Sequence, residues 1–156
     1  MKNLLIIIAV FATFSLNAQT EITWIGGTPG QETNWNQAKN WSTNQVPDED
    51  TWVIIKATNS GHQALPVITS DIIIAGIEIQ SNANLTIAQT GKLLIDGEMT
   101  YNYGILNVGK IINQGQVSVA NTGLAPIYQP NTNIENHGSI AIFDQGSEVK
   151  YLAELD

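Results

Sequence analysis

The side chains able to do acid–base chemistry are few and scattered. The coils offer Asp96, Glu98, Glu135, Asp144 and Glu148 as carboxylates, and His62 and His137 are the only imidazoles. A glycosidase needs two carboxylates facing each other across a groove, and a lyase needs a base with a cation that neutralises a uronate. No pair recurs on one strand face here, and all six cationic residues are lysine. The histidines are too far apart in sequence for a zinc-ligand spacing. With no cysteine and no serine in a strained elbow motif, nucleophilic catalysis has no candidate. Asp48-Glu49-Asp50 lacks the ligand spacing of a calcium loop and reads as a solvated turn. The expectation is a chain without catalytic residues, cofactor or metal.

Binding chemistry has one better set of candidates. Trp24, Trp35, Trp41 and Trp52 fall within a short stretch, and Tyr128 lies in a later interruption of the pattern. Exposed rings at Trp35, Trp41 and Tyr128 would make a sugar-stacking set; buried Trp rings would make a small core.

The elements that must carry these residues are announced by a repeated phrase: amide, any residue, Gly, then apolar residues at alternate positions. It occurs at Gln89-Thr90-Gly91, Asn102-Tyr103-Gly104, Asn113-Gln114-Gly115 and Asn136-His137-Gly138. Period-two alternation would place Leu93/Ile95, Leu106/Val108, Val117/Val119 and Ile140/Ile142 on one face of successive strands. Glycine before each strand would permit a positive φ at a corner, and the amides would stack from coil to coil. The glycines are 13, 11 and 23 residues apart, which predicts short coils, six to eight in all, and a rod of about 30–40 Å. Residues 120–134 are either a projecting loop or an extra coil. The same phrase in the same orientation favours a stacked solenoid over a hairpin meander.

Lys2, followed by an apolar run from Leu4 to Ala12 and a small residue at Ala18, has the layout of a signal peptide, and the run is too short for a comfortable membrane span. The organisation expected is therefore 1–18 signal peptide, 19–52 N-terminal cap and 53–156 solenoid coils, the cap and coils forming one domain. The formal net charge is −8, and loss of Lys2 makes it one unit more negative. Nucleic acid and anionic membrane surfaces are poor partners for such a chain, and no membrane insertion is expected after signal removal. Val53-Ile54-Ile55 reads as the first regular strand. The segment around Gly146 to Leu152 reads as a last strand whose uncovered coil offers end-to-end association.

Trp24, Asn34-Trp35, Ala38-Lys39-Asn40-Trp41-Ser42, Val46-Pro47 and Asp50-Thr51-Trp52-Val53 together resemble the opening of a module of secreted and cell-surface proteins of Bacteroidota. Pro66-Val67-Ile68 and the Asn-x-Gly coils extend the resemblance over nearly all of the chain after residue 18. The resemblance implies an all-β, right-handed parallel β-helix (β-solenoid) with a Trp-rich cap, exported to the cell surface, often within an adhesin-like protein. A structural or adhesion role follows from it, with an extracellular polysaccharide or another surface protein as partner. Secreted and periplasmic states both fit, and a carbohydrate-binding module is the alternative.

Overall fold

The computed structural model describes residues 20–57, 64–97, 102–131, 133–143 and 149–151. The predicted signal peptide, His62, Glu98, Asp144 and Glu148 lie outside them. Valine and isoleucine dominate the strands, as expected where branched side chains pack on a pleated, buried face.

The strands run β1 (Thr20–Thr23), β2 (Thr51–Ile55), β3 (Val67–Ile68), β4 (Asp71–Ile74), β5 (Gly76–Ile79), β6 (Asn84–Ile87) and β7 (Lys92–Asp96). They continue as β8 (Tyr103–Asn107), β9 (Lys110–Asn113), β10 (Gln116–Ala120), β11 (Ala125–Tyr128), β12 (Ile134–Asn136), β13 (Ser139–Phe143) and β14 (Val149–Tyr151). Three sheets result, ordered β1-β2-β5-β8-β11, β4-β7-β10-β13-β14 and β3-β6-β9-β12. From β2 on, the chain visits the three sheets in turn, so each coil is a triangle, and β2 to β13 stack as four such levels. Every pairing between named strands is parallel except β13 with β14. This is a β-solenoid, as the repeated phrase predicts.

The inward faces form vertical columns. Ile72, Leu93, Val117 and Ile140 are in register on one side, and Val53, Ile77, Ile105 and Ile127 on a second. Ile68 and Ile87 share the third side with Asn113. Each fully buried aliphatic side chain contributes about 1.5–3 kcal/mol relative to exposure, which makes these columns the main stabilising term in a chain without disulfides.

The coil is longer than the sequence spacing predicts. Lys92 pairs with Gln116 and Gln116 with Ser139, so successive levels are 24 and 23 residues apart. Gly104 is on a different side from Gly91, Gly115 and Gly138, because an Asn-x-Gly phrase suits any corner. The prediction of six to eight coils is thereby corrected to four levels among the described residues. Residues 120–134 are neither a projecting loop nor an extra coil: they contain β11, an ordinary side paired with β8.

The phase of β8 also differs. Its strand starts at Tyr103, inside the phrase, so Ile105 and Asn107 face inward and are buried, while Leu106 is half-buried and Val108 is exposed. Leu106 therefore does not stack on Val117 and Ile140; Leu93 does. The repeat glycines serve close approach. A Cβ on Gly115 would meet the carbonyl oxygens of Gly91 and Ala88, and one on Gly138 the carbonyl of Gly115. Positive φ is taken by other residues, among them Asn82 (65°) and Asn121 (51°).

The segment 24–50 closes the first coil. Trp24 N–H donates to the Ile54 carbonyl and Val67 N–H to the Thr33 carbonyl, so the segment grips strands of two sheets. One 3₁₀ turn, Ala38–Asn40, lies within it. At the other end β14 pairs antiparallel with β13. The expectation of an uncovered final coil is corrected on that side; among the described residues β11 and β12 end their sheets.

Candidate functional site

Trp24, Trp35 and Trp41 are buried and interlocked edge to face, with ring centroids 4.8 and 4.7 Å apart and planes at 83° and 73°. Trp24 Nε1 donates to the Ala64 carbonyl at 2.8 Å, and Trp41 Nε1 to the Trp35 carbonyl at 2.7 Å. Asn40, also buried, ties the segment down. Its amide donates to the carbonyls of Gln31 and Asn34, and its oxygen accepts from Thr28 N–H. Trp52 is buried against Gly76. Trp35 and Trp41 thus present no face to a sugar, because the coil end needs that area covered; that part of the stacking set is a core.

Tyr128 stands apart from them. It is 44% exposed and lies 5.0 Å, centroid to centroid, from Tyr103 on the neighbouring strand, the rings tilted by 36°. The structure therefore does not bring Trp35, Trp41 and Tyr128 together. Tyr103, hidden in the variable position of its phrase, is the partner that the sequence reading missed.

Several titratable groups are held in local pairs. Lys110 Nζ lies 2.7 Å from Glu135 Oε2, and His137 Nε2 3.0 Å from Glu135 Oε1. These contacts, with the Lys110 hydrogen bond the largest cause, hold the Glu135 carboxyl below its ordinary value. Asp96 accepts from the Asn121 amide at 2.8 Å. Among the described residues no three His, Cys, Asp or Glu side chains gather as a metal site. No helix among them is long and apolar enough to cross a membrane.

One concavity follows from the triangular coil. The turn before β6 (Ser81–Asn84), the turn into β9 (Val108–Lys110) and the segment leading into β12 (131, 133–135) lie one above another at the same corner. They line an open groove of about 820 Å³. Asn84 is in register with Lys110, and Ile111 N–H donates to the Asn133 carbonyl, so Asn84, Lys110 and Asn133 mark three consecutive levels. Its walls are hydrogen-bonding side chains; the exposed apolar surface there is Val108. Such an arrangement can bind through polar contacts, and its volume falls in the roughly 300–1,000 Å³ range of ligand clefts. The sequence signal for it was the level-to-level spacing, invisible while the phrase was read as one coil.

A family model described as Domain of unknown function (DUF8693) matches residues 23–145. No curated protein and no solved structure matches the chain.

Proposed function

The chain belongs to the DUF8693 family, and from that premise we propose that it is a non-enzymatic, exported β-solenoid module with a structural or adhesion role at a cell surface. The observation that carries the reading is the in-register parallel stack sealed at one end by the buried Trp cluster. Such a stack is a stiff body whose outer columns repeat at a fixed spacing of about 4.8 Å, the property that a spacer or an adhesive surface uses. The pairing of Glu135 with Lys110 and His137, and of Asp96 with Asn121, supports a binding rather than a catalytic surface. The basic start and apolar run of the first 18 residues support export, with a secreted, cell-surface or periplasmic destination. Its partner on this reading is an extracellular polysaccharide or another surface protein, and β11 and β12, which end their sheets among the described residues, are the edges through which end-to-end association would run.

Expression of the full chain in a bacterial host with an export pathway tests this. The mature protein recovered outside the cytoplasm should begin at Gln19 by mass, and beads coated with it should be retained on bacterial cells or their extracellular matrix. Cytoplasmic retention with an uncut N-terminus, or coated beads that wash off like bare ones, would refute it.

A further inference from the structure

We infer that the corner groove binds a neutral, hydroxyl-rich glycan chain laid along the stack axis. The inference rests on the adhesion reading, for which it names the ligand. Three features of the groove select this class.

The first is spacing. Asn84, Lys110 and Asn133 occupy the same corner on three successive levels. Levels of a β-stack are about 4.8 Å apart, close to the advance of one sugar ring along an extended polysaccharide. Successive rings of a glycan would therefore meet an equivalent polar side chain at each level, an arrangement with no counterpart on the Tyr103–Tyr128 face.

The second is functional-group chemistry. A side-chain amide offers two donors and an acceptor, which matches a hydroxyl that both gives and receives. Asn82, Asn84, Asn131 and Asn133 supply four such amides around the groove. The strands that flank it are already paired with one another, so an extended peptide would find few free backbone groups.

The third is charge. The one lysine of the groove is already engaged by Glu135 at 2.7 Å, and the whole chain carries −8. An acidic polysaccharide would be repelled by the chain and find no unpaired cation in the groove, whereas a neutral one pays neither penalty.

Affinity electrophoresis of the full chain in gels containing xylan, mannan, laminarin or polygalacturonate tests the inference. At least one neutral polysaccharide should retard the chain, and polygalacturonate should not. Asn84→Ala and Asn133→Ala should each weaken the retardation about five- to tenfold, the worth of one or two neutral hydrogen bonds. Tyr128→Ala, on another face, should bind like the wild type, and melting curves of all variants should coincide. Absence of retardation in all three neutral gels, equal binding by the asparagine variants, preferential binding of polygalacturonate, or loss confined to Tyr128→Ala would each overturn it. Bead retention on cells separates the two readings. Retained beads without polysaccharide binding sink the groove and leave the adhesion reading standing, whereas loss of retention sinks both.

Discussion

Two buried asparagines illustrate how differently one residue type behaves at neighbouring corners. The Asn113 amide donates to Asn136 Oδ1 at 2.7 Å and to the Ser139 carbonyl at 3.1 Å, and its oxygen accepts from Gly115 N–H at 3.1 Å. Replacing it by leucine leaves the buried Gly115 N–H and the half-buried Asn136 amide without this partner, and Asn113→Leu should cost about 1–3 kcal/mol in urea unfolding. Asn107 is equally buried, yet among the described residues neither of its side-chain polar atoms has a hydrogen-bond partner. Asn107→Leu should therefore leave stability unchanged or raise it by about 1 kcal/mol in the same assay. The amide ladder was legible in the sequence at Asn113 and Asn136, whose phrases fall on consecutive levels of one corner. It was not legible that Gln89 is exposed and off the ladder, since the register places Ile87 opposite Asn113. Glu135 gives a pH test. Its carboxyl is held below its ordinary value of 4.5, so its ion pairs contribute stability above that pH. The contribution is lost as pH falls through the lowered folded value. Glu135→Gln should melt slightly below the wild type at neutral pH and coincide with it in acid, a small effect because the group is exposed.

At the scale of elements, the cap and the last strand do opposite jobs. Trp41 contacts both Trp24 and Trp35 edge to face, so Trp41→Ala opens a cavity between two rings and should cost about 3–5 kcal/mol, read as a lower urea midpoint. Among the described residues β14 pairs only with β13, and it lies beyond the residues matched by the family model. Ending the chain at Phe143 should expose the β13 edge and raise self-association, seen as a mass above the monomer by light scattering; an unchanged mass would show that this edge is inert. The cap was legible because Trp24, Trp35 and Trp41 among glycines and prolines do not continue a regular coil, whereas the fourth, Trp52, belongs to β2. The phase of β8 was not, because Tyr103-Gly104-Ile105-Leu106-Asn107-Val108 alternates acceptably in either phase. Only pairing of Ile105 with Ile77 decides which side is dry.

For the whole molecule, the account depends on the true period. Levels 23 and 24 residues apart put Gly91, Gly115 and Gly138 on one edge, and they assemble the groove from three turns of the chain. The sequence spacing of 11 to 13 residues described corners, and from corners the solenoid could be recognised but its sides could not be counted. Because the chain has no native cysteine, paired substitutions read the register directly. Leu94 and Ser118 are opposite each other on adjacent parallel strands, both half-buried on the outer face, within the roughly 4.4–6.8 Å Cα separation that a disulfide spans. Under mild oxidation Leu94→Cys with Ser118→Cys should close an intramolecular disulfide, seen as a faster non-reducing gel band and a loss of 2 Da for two hydrogens. Asn107→Cys with Ser118→Cys, the pair that a short coil aligned on Gly104 and Gly115 would bring together, should stay reduced. Crosslinking of the second pair with the first left open would contradict the triangular stack.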